Sequence, residues 1–76
     1  MPRYFFNVFD GRNQVDSDGR ELPDKHAAWA EATATAGEIL RDMDGRLKPG
    51  STWRMEVSDE FRNPLYVIQI NAEQPR

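Results

Sequence analysis

The sequence predicts a two-layer α+β domain of order ββαββ, an antiparallel sheet with one helix packed on one face. Three observations carry that expectation. A single long stretch in the middle of the chain repeats its apolar residues with helical period. The stretches on either side are rich in β-formers and alternate with period two. Asp-Gly and Pro-Gly pairs punctuate the gaps between them. An antiparallel sheet covered by a lone helix is the layer arrangement that buries such a set.

In chain order, Arg3 to Phe9 reads as the first strand, with Tyr4, Phe6 and Val8 on one face and Phe5 and Phe9 flanking Asn7 on the other. Asp10-Gly11 is a tight-turn signal, and Arg12 to Val15 can return as a short polar edge strand. Asp16-Ser17-Asp18-Gly19 is a second turn, and Glu21-Leu22-Pro23 leads into the helix. The helix runs from about Asp24 to about Asp44, roughly 28 Å long. Asp24 can cap its N-terminus, and Gly45 is placed to end it in a left-handed conformation. Ala28, Ala32, Ala36, Ile39 and Met43 form its buried stripe, flanked by Trp29 and Leu40. Trp29 and Trp53 are both expected in the core. After a loop marked by Pro49-Gly50, Thr52 to Ser58 alternates with Trp53, Met55 and Val57 inward. Asp59 to Asn63 is a turn. Pro64 opens the last strand, where Tyr66, Ile68 and Ile70 face the core and Leu65, Val67 and Gln69 lie opposite.

The chain is expected to form one domain over residues 1–71, with 72–76 as a flexible tail. At 76 residues such a chain buries only about 60% of its unfolded surface, so its stability margin is thin. It has no cysteine, hence no disulfide framework, no thiolate zinc site and no cysteine nucleophile. That suits the cytoplasm, where this chain is expected. The apolar run Tyr4 to Phe9 is too short for a signal peptide, and no stretch is long enough to span a membrane. A net charge of −3 argues against a nucleic-acid surface. Arg41, Arg46 and Lys48 cluster where they offset the negative end of the helix instead.

These residues carry a family resemblance. The opening Met1-Pro2-Arg3-Tyr4-Phe5-Phe6 with Val8 and Asp10-Gly11 is distinctive. Asp18, Arg20-Glu21-Leu22-Pro23-Asp24, the helical Gly37-Glu38 with Leu40-Arg41-Asp42, and Trp53-Arg54-Met55-Glu56-Val57 with Asp59-Glu60 extend it over nearly the whole chain. The chain resembles a group of small alphaproteobacterial proteins classed as a domain of unknown function, number 6894. Asp59 to Asn63 departs from the glycine-containing turn usual in that group. The resemblance supplies no catalytic residues. A looser, purely topological likeness links a strand, an acidic turn and an Ala/Glu-rich helix to antitoxin domains of the HicB type, which neutralise a small toxin by binding it.

Little catalytic chemistry is legible. Aligning Gly19 with the invariant glycine of a calcium loop puts Gln14 at the first ligand position and Lys25 at the last, so that reading fails. Asp10, Asp16, Asp18 and Glu21 could gather a weak metal site, but turn carboxylates capping backbone amides are the simpler and preferred reading. The expectation is no metal and no cofactor. His26, the only histidine, stands in the first helical turn with no serine placed beside it on a nucleophile turn. No Gly-rich phosphate loop is present.

The expected function is therefore binding, not catalysis: a protein-interaction or regulatory module, expected as a homodimer or with another protein as partner. A HicB-like antitoxin is the alternative, and a small metal-dependent or ligand-binding protein a third. One helix covers one sheet face, so Phe5, Phe9, Leu65 and Val67 are the expected interface on the other. That expectation requires the four to form one exposed patch. Ala30, Ala34 and Gly37, on the outer face of the helix, are the second candidate surface; a plain solvent face of small residues is the simpler reading of them.

Overall fold

A computed structural model of the chain describes residues 1–75. Its elements are β1 (Arg3–Phe9), β2 (Asn13–Gln14), β3 (Arg20–Glu21), α1 (Lys25–Met43), β4 (Thr52–Ser58) and β5 (Pro64–Asn71). The sheet is antiparallel with order β2-β1-β4-β5, and β3 pairs with the other end of β1. The α+β architecture with one helix against an antiparallel sheet is as the sequence predicts. The extra strand is β3: Arg20 and Glu21 pair with Tyr4 and Arg3. A two-residue polar edge has no periodicity to read, so this segment looks like a lead-in to the helix cap.

Helix α1 begins where Asp24 stops it fraying: the Asp24 Oδ1 accepts the Ala27 N–H at 2.9 Å. It ends one residue before the expected glycine, because Asp44 already adopts φ 48°, ψ 53°. Gly45 follows at φ 84°. The Arg46 guanidinium then donates to the Asp42 and Met43 carbonyls, both at 2.8 Å, satisfying groups the helix leaves unpaired. A basic side chain thus meets the negative helix end directly.

Ala28, Ala32 and Ala36 are buried, and their small side chains let the helix lie close over Trp53, Met55 and Val57 of β4, which are fully buried. Tyr4 and Val8 join from β1; Phe6, Tyr66, Ile68 and Ile70 border the same cluster. The inward faces of β1, β4 and β5 are therefore those read from alternation. Each of the largest buried side chains contributes about 1.5–3 kcal/mol through removal from water. Trp29 departs from expectation. It is 43% exposed, lying at the flank of the helix with its ring centroid 5.1 Å from that of Tyr66. The inward stripe belongs to the alanines one helical position away, so the indole is left as a partial cover.

The pairing of β4 with β5 is offset at one end. Val57 faces Tyr66, but Ser58 faces Pro64, so Leu65 has no partner of its own. This bulge changes the side-chain parity at Leu65, which packs against the helix-side core. Backbone pairing continues past β5: the Ala72 N–H donates to the Ser51 carbonyl at 3.0 Å, and the Ala72 carbonyl accepts the Gly50 N–H at 2.6 Å. The expected tail 72–76 is thus anchored at its first residue, and position 76 lies outside the described residues.

Candidate functional site

The sheet face away from α1 is where the sequence places an interface. Its rows follow from the register. Phe5 faces Ser58, Asn7 faces Glu56, which faces Val67, and Phe9 faces Arg54, which faces Gln69. The four expected interface residues do not form one patch, and two of them need correction. Leu65 leaves the face at the bulge. Phe5 is only 8% exposed, because two turns of the chain close over it.

Arg62 lays its guanidinium 3.7 Å from the centre of the Phe5 ring, an arrangement that draws on the negative face of the aromatic ring. Arg62 also donates to the Asp16 carbonyl at 3.3 Å. From the side, Gly19 approaches so closely that a Cβ there would lie 2.9 Å from the Phe5 ring, the Arg3 side chain and the Tyr4 carbonyl. The four-residue turn that ends at Gly19 and the turn after β4 thus meet over one end of the face.

Each turn is held by one aspartate. The Asp16 Oδ1 accepts the N–H groups of Asp18 at 3.1 Å and Gly19 at 3.0 Å, and its Oδ2 accepts that of Phe6 at 3.2 Å. Its own N–H donates to the Asn7 side-chain oxygen at 2.9 Å, which gives the buried amide a partner. Partial burial pushes the Asp16 carboxyl up. The amides of Gly19, Phe6 and Asp18 and the Arg62 charge outweigh that and hold it below the usual aspartate value. Asp59 does the same in the other turn. Its Oδ1 accepts the N–H groups of Phe61 at 2.9 Å and Asn63 at 2.8 Å. The Asn63 amide bond leads the causes that lower its carboxyl, against a smaller upward push from desolvation. Arg62 occupies φ 68° in this turn, the left-handed region where a glycine would be at ease.

What remains open on this face is Phe9, half-buried at the far end, and Val67, 46% exposed on β5. Between them lies the Arg54–Glu56 ion pair at 3.3 Å. Ala30, Ala34 and Gly37 are exposed on the outer side of α1, and a Cβ at Gly37 would meet nothing within 4 Å. The helix and the open sheet face are on opposite sides of the molecule, so the two candidate surfaces are separate.

The acidic residues of the N-terminal half do not converge. Glu21 pairs with Arg3 at 3.2 Å, the Asp10 carboxylate faces the Gln14 amide at 3.4 Å, and Asp16 is spent on backbone amides. Among the described residues no group of three or more His, Cys, Asp or Glu could hold a metal ion. His26 is exposed at the helix start. Two open hollows flank the helix. One of about 470 Å³ has Ile39, Met43 and Leu47 beneath a rim that includes Arg12, Asp42 and Arg46. One of about 320 Å³ lies beside Phe6, Asp16, Glu31 and Thr35. Glu31 there is ion-paired with Arg20, tying β3 to α1. Among the described residues no helix is long and apolar enough to cross a membrane.

Sequence reasoning missed the cover over Phe5. Its signals are present: Asp16 three residues before Gly19 is the spacing of a side-chain-capped turn, and the turn from Asp59 to Asn63 has no glycine, which forces another residue into a positive φ.

No curated protein and no solved structure matches the chain. A family model does, from residue 3 to residue 71. That span takes in every strand, the helix and both aspartate-held turns, and the chain belongs to the family described as Domain of unknown function (DUF6894).

Proposed function

We propose that this chain is a non-enzymatic protein-interaction or regulatory module that works as a homodimer in the cytoplasm. One observation carries the reading: a single helix covers one face of the sheet, while on the other face the chain's own turns cover only the Phe5 end, leaving Val67 and the outer edge at β5 open. Sheet surface left in this state is the usual place for protein contacts. The chain's titratable groups favour binding over catalysis, because Asp16 and Asp59 serve as turn acceptors. Absence of cysteine fits a reducing compartment.

Phe9 and Val67 are the members of the expected interface left to serve it on the sheet side, with Ala30, Ala34 and Gly37 on the helix side. Molar mass by light scattering over a concentration series tests the reading. A dimer that persists on dilution supports it. A monomer at every concentration removes the homodimer.

A further inference from the structure

We infer that a second copy of this chain adds to the sheet along β5, joining the two sheets into one across a twofold axis. This rests on the homodimeric reading above and names the surface it uses.

The outermost strand, β5, is eight residues long and bonded to β4 on one side only. Ala72 fixes which of its backbone groups face outward. Both its N–H and its carbonyl are bonded to the Gly50–Ser51 segment that leads into β4. In an antiparallel ladder the two groups of one residue point to the same side, and the side alternates along the strand. Counting back from Ala72, Ile70, Ile68 and Tyr66 face β4. Asn71, Gln69 and Val67 present their N–H and carbonyl groups to the free edge. Among the described residues no turn or loop bond takes those groups.

Exposed edges are ordinarily guarded by a lysine, an inward charge, a proline or a bulge placed along the strand. Here the proline and the bulge both sit at the Pro64–Leu65 end, and the stretch from Tyr66 to Asn71 carries neither. No residue of β5 is charged, in a chain whose net charge is −3. Two copies can therefore approach along this edge without bringing like charges together within the strand.

A second copy is the occupant that the geometry fits. Antiparallel pairing of identical strands is self-complementary about a twofold axis. With Gln69 on the axis, Val67 faces Asn71 of the partner subunit and Asn71 faces Val67 of the partner subunit. All three outward positions then find donors and acceptors, and the half-exposed Val67 gains a neighbour.

The test uses the full chain. Light scattering over a concentration series is run on the wild type, Gln69→Pro and Val67→Lys, with circular dichroism on each. Proline at position 69 removes an outward N–H and leaves the bonds to β4 in place. Amide exchange is measured on the wild type at high concentration. The expected result is a wild-type dimer, protected amides at Val67, Gln69 and Asn71, and folded variants that dissociate about tenfold or more readily. A wild-type dimer whose three edge amides exchange as fast as those of exposed turns overturns the β5 assignment while the homodimer stands. So does a folded Gln69→Pro that dimerises like the wild type. A wild type that is monomeric throughout overturns both. Exchange on the wild type decides the matter even where a variant unfolds.

Discussion

Gly19→Ala puts the closure over Phe5 to a direct test. Gly19 has φ 70°, and a Cβ there would come within 2.9 Å of the Arg3 side chain, the Phe5 ring and the Tyr4 carbonyl. The Arg3 side chain can swing away. The Tyr4 carbonyl belongs to β1, and the Phe5 ring is pinned beneath Arg62; neither yields without moving backbone. The left-handed conformation costs alanine about 1–2 kcal/mol, and forcing a methyl into a filled space about 1–3 kcal/mol more. Stiffening of the unfolded chain returns about 0.4–1 kcal/mol in the opposite sense. A net loss of about 1–5 kcal/mol follows, against a total of about 4–11 kcal/mol for a chain of this length. At about 4–8 °C per kcal/mol, the melting temperature should fall by more than about 4 °C. Gly37→Ala is the matched control, since nothing lies within 4 Å of its Cβ and the site is helical. It should raise stability by about 0.5–1 kcal/mol. Thermal and urea unfolding followed by circular dichroism reads both. A Gly19→Ala protein melting within about 4 °C of the wild type would refute the close approach of this turn to β1.

The other predictions concern the two turns and the core. Arg62→Ala should lose the contact over Phe5 while keeping the left-handed φ, a cost of about 1 kcal/mol. Arg62→Gly should lose the same contact but relieve about 1 kcal/mol of backbone cost, so it should be the more stable of the two by chemical denaturation. Asp16 has a carboxyl held below its ordinary value, so its contribution is complete above the unfolded pKa and is lost as pH falls through the folded one. Asp16→Asn should therefore be less stable than wild type near neutrality, and in urea titrations the gap should narrow only as pH falls below about 5 and on through the lowered folded pKa. Met55→Ala removes a fully buried side chain and should cost about 2–5 kcal/mol, enough to leave much of the protein unfolded on heating to moderate temperature.

The elements that bury a periodic face were legible in the sequence. Thr52 to Ser58 alternates without a break, and its bounds as a strand are those of β4. The alanine stripe of α1 and the inward faces of β1 and β5 were readable for the same reason. What escaped depends on partners distant in sequence. The burial of Phe5 comes from Arg62, which no local pattern around Phe5 announces. Leu65 changes side because a single unpaired residue shifts the parity that alternation relies on. Trp29 is apolar and next to the stripe, yet its burial is set by how far Tyr66 reaches on the neighbouring layer. The strand β3 exists because β1 has free backbone groups at its start, a demand placed by the sheet and absent from the two residues that meet it.

The position of β1 between β2 and β4 also fixes an order of events in time. Its contacts with β2 and β3 close short loops, which form on a microsecond scale. Its longer ladder with β4 joins the beginning of the chain to a segment beyond the helix, a closure that comes later and more slowly. On the ribosome, β1 therefore waits with only its short partners while α1 emerges. Until β4 follows, Tyr4, Phe6 and Val8 lack Trp53, Met55 and Val57, the largest fully buried apolar side chains of their cluster, and have only the small alanines of α1 to pack on.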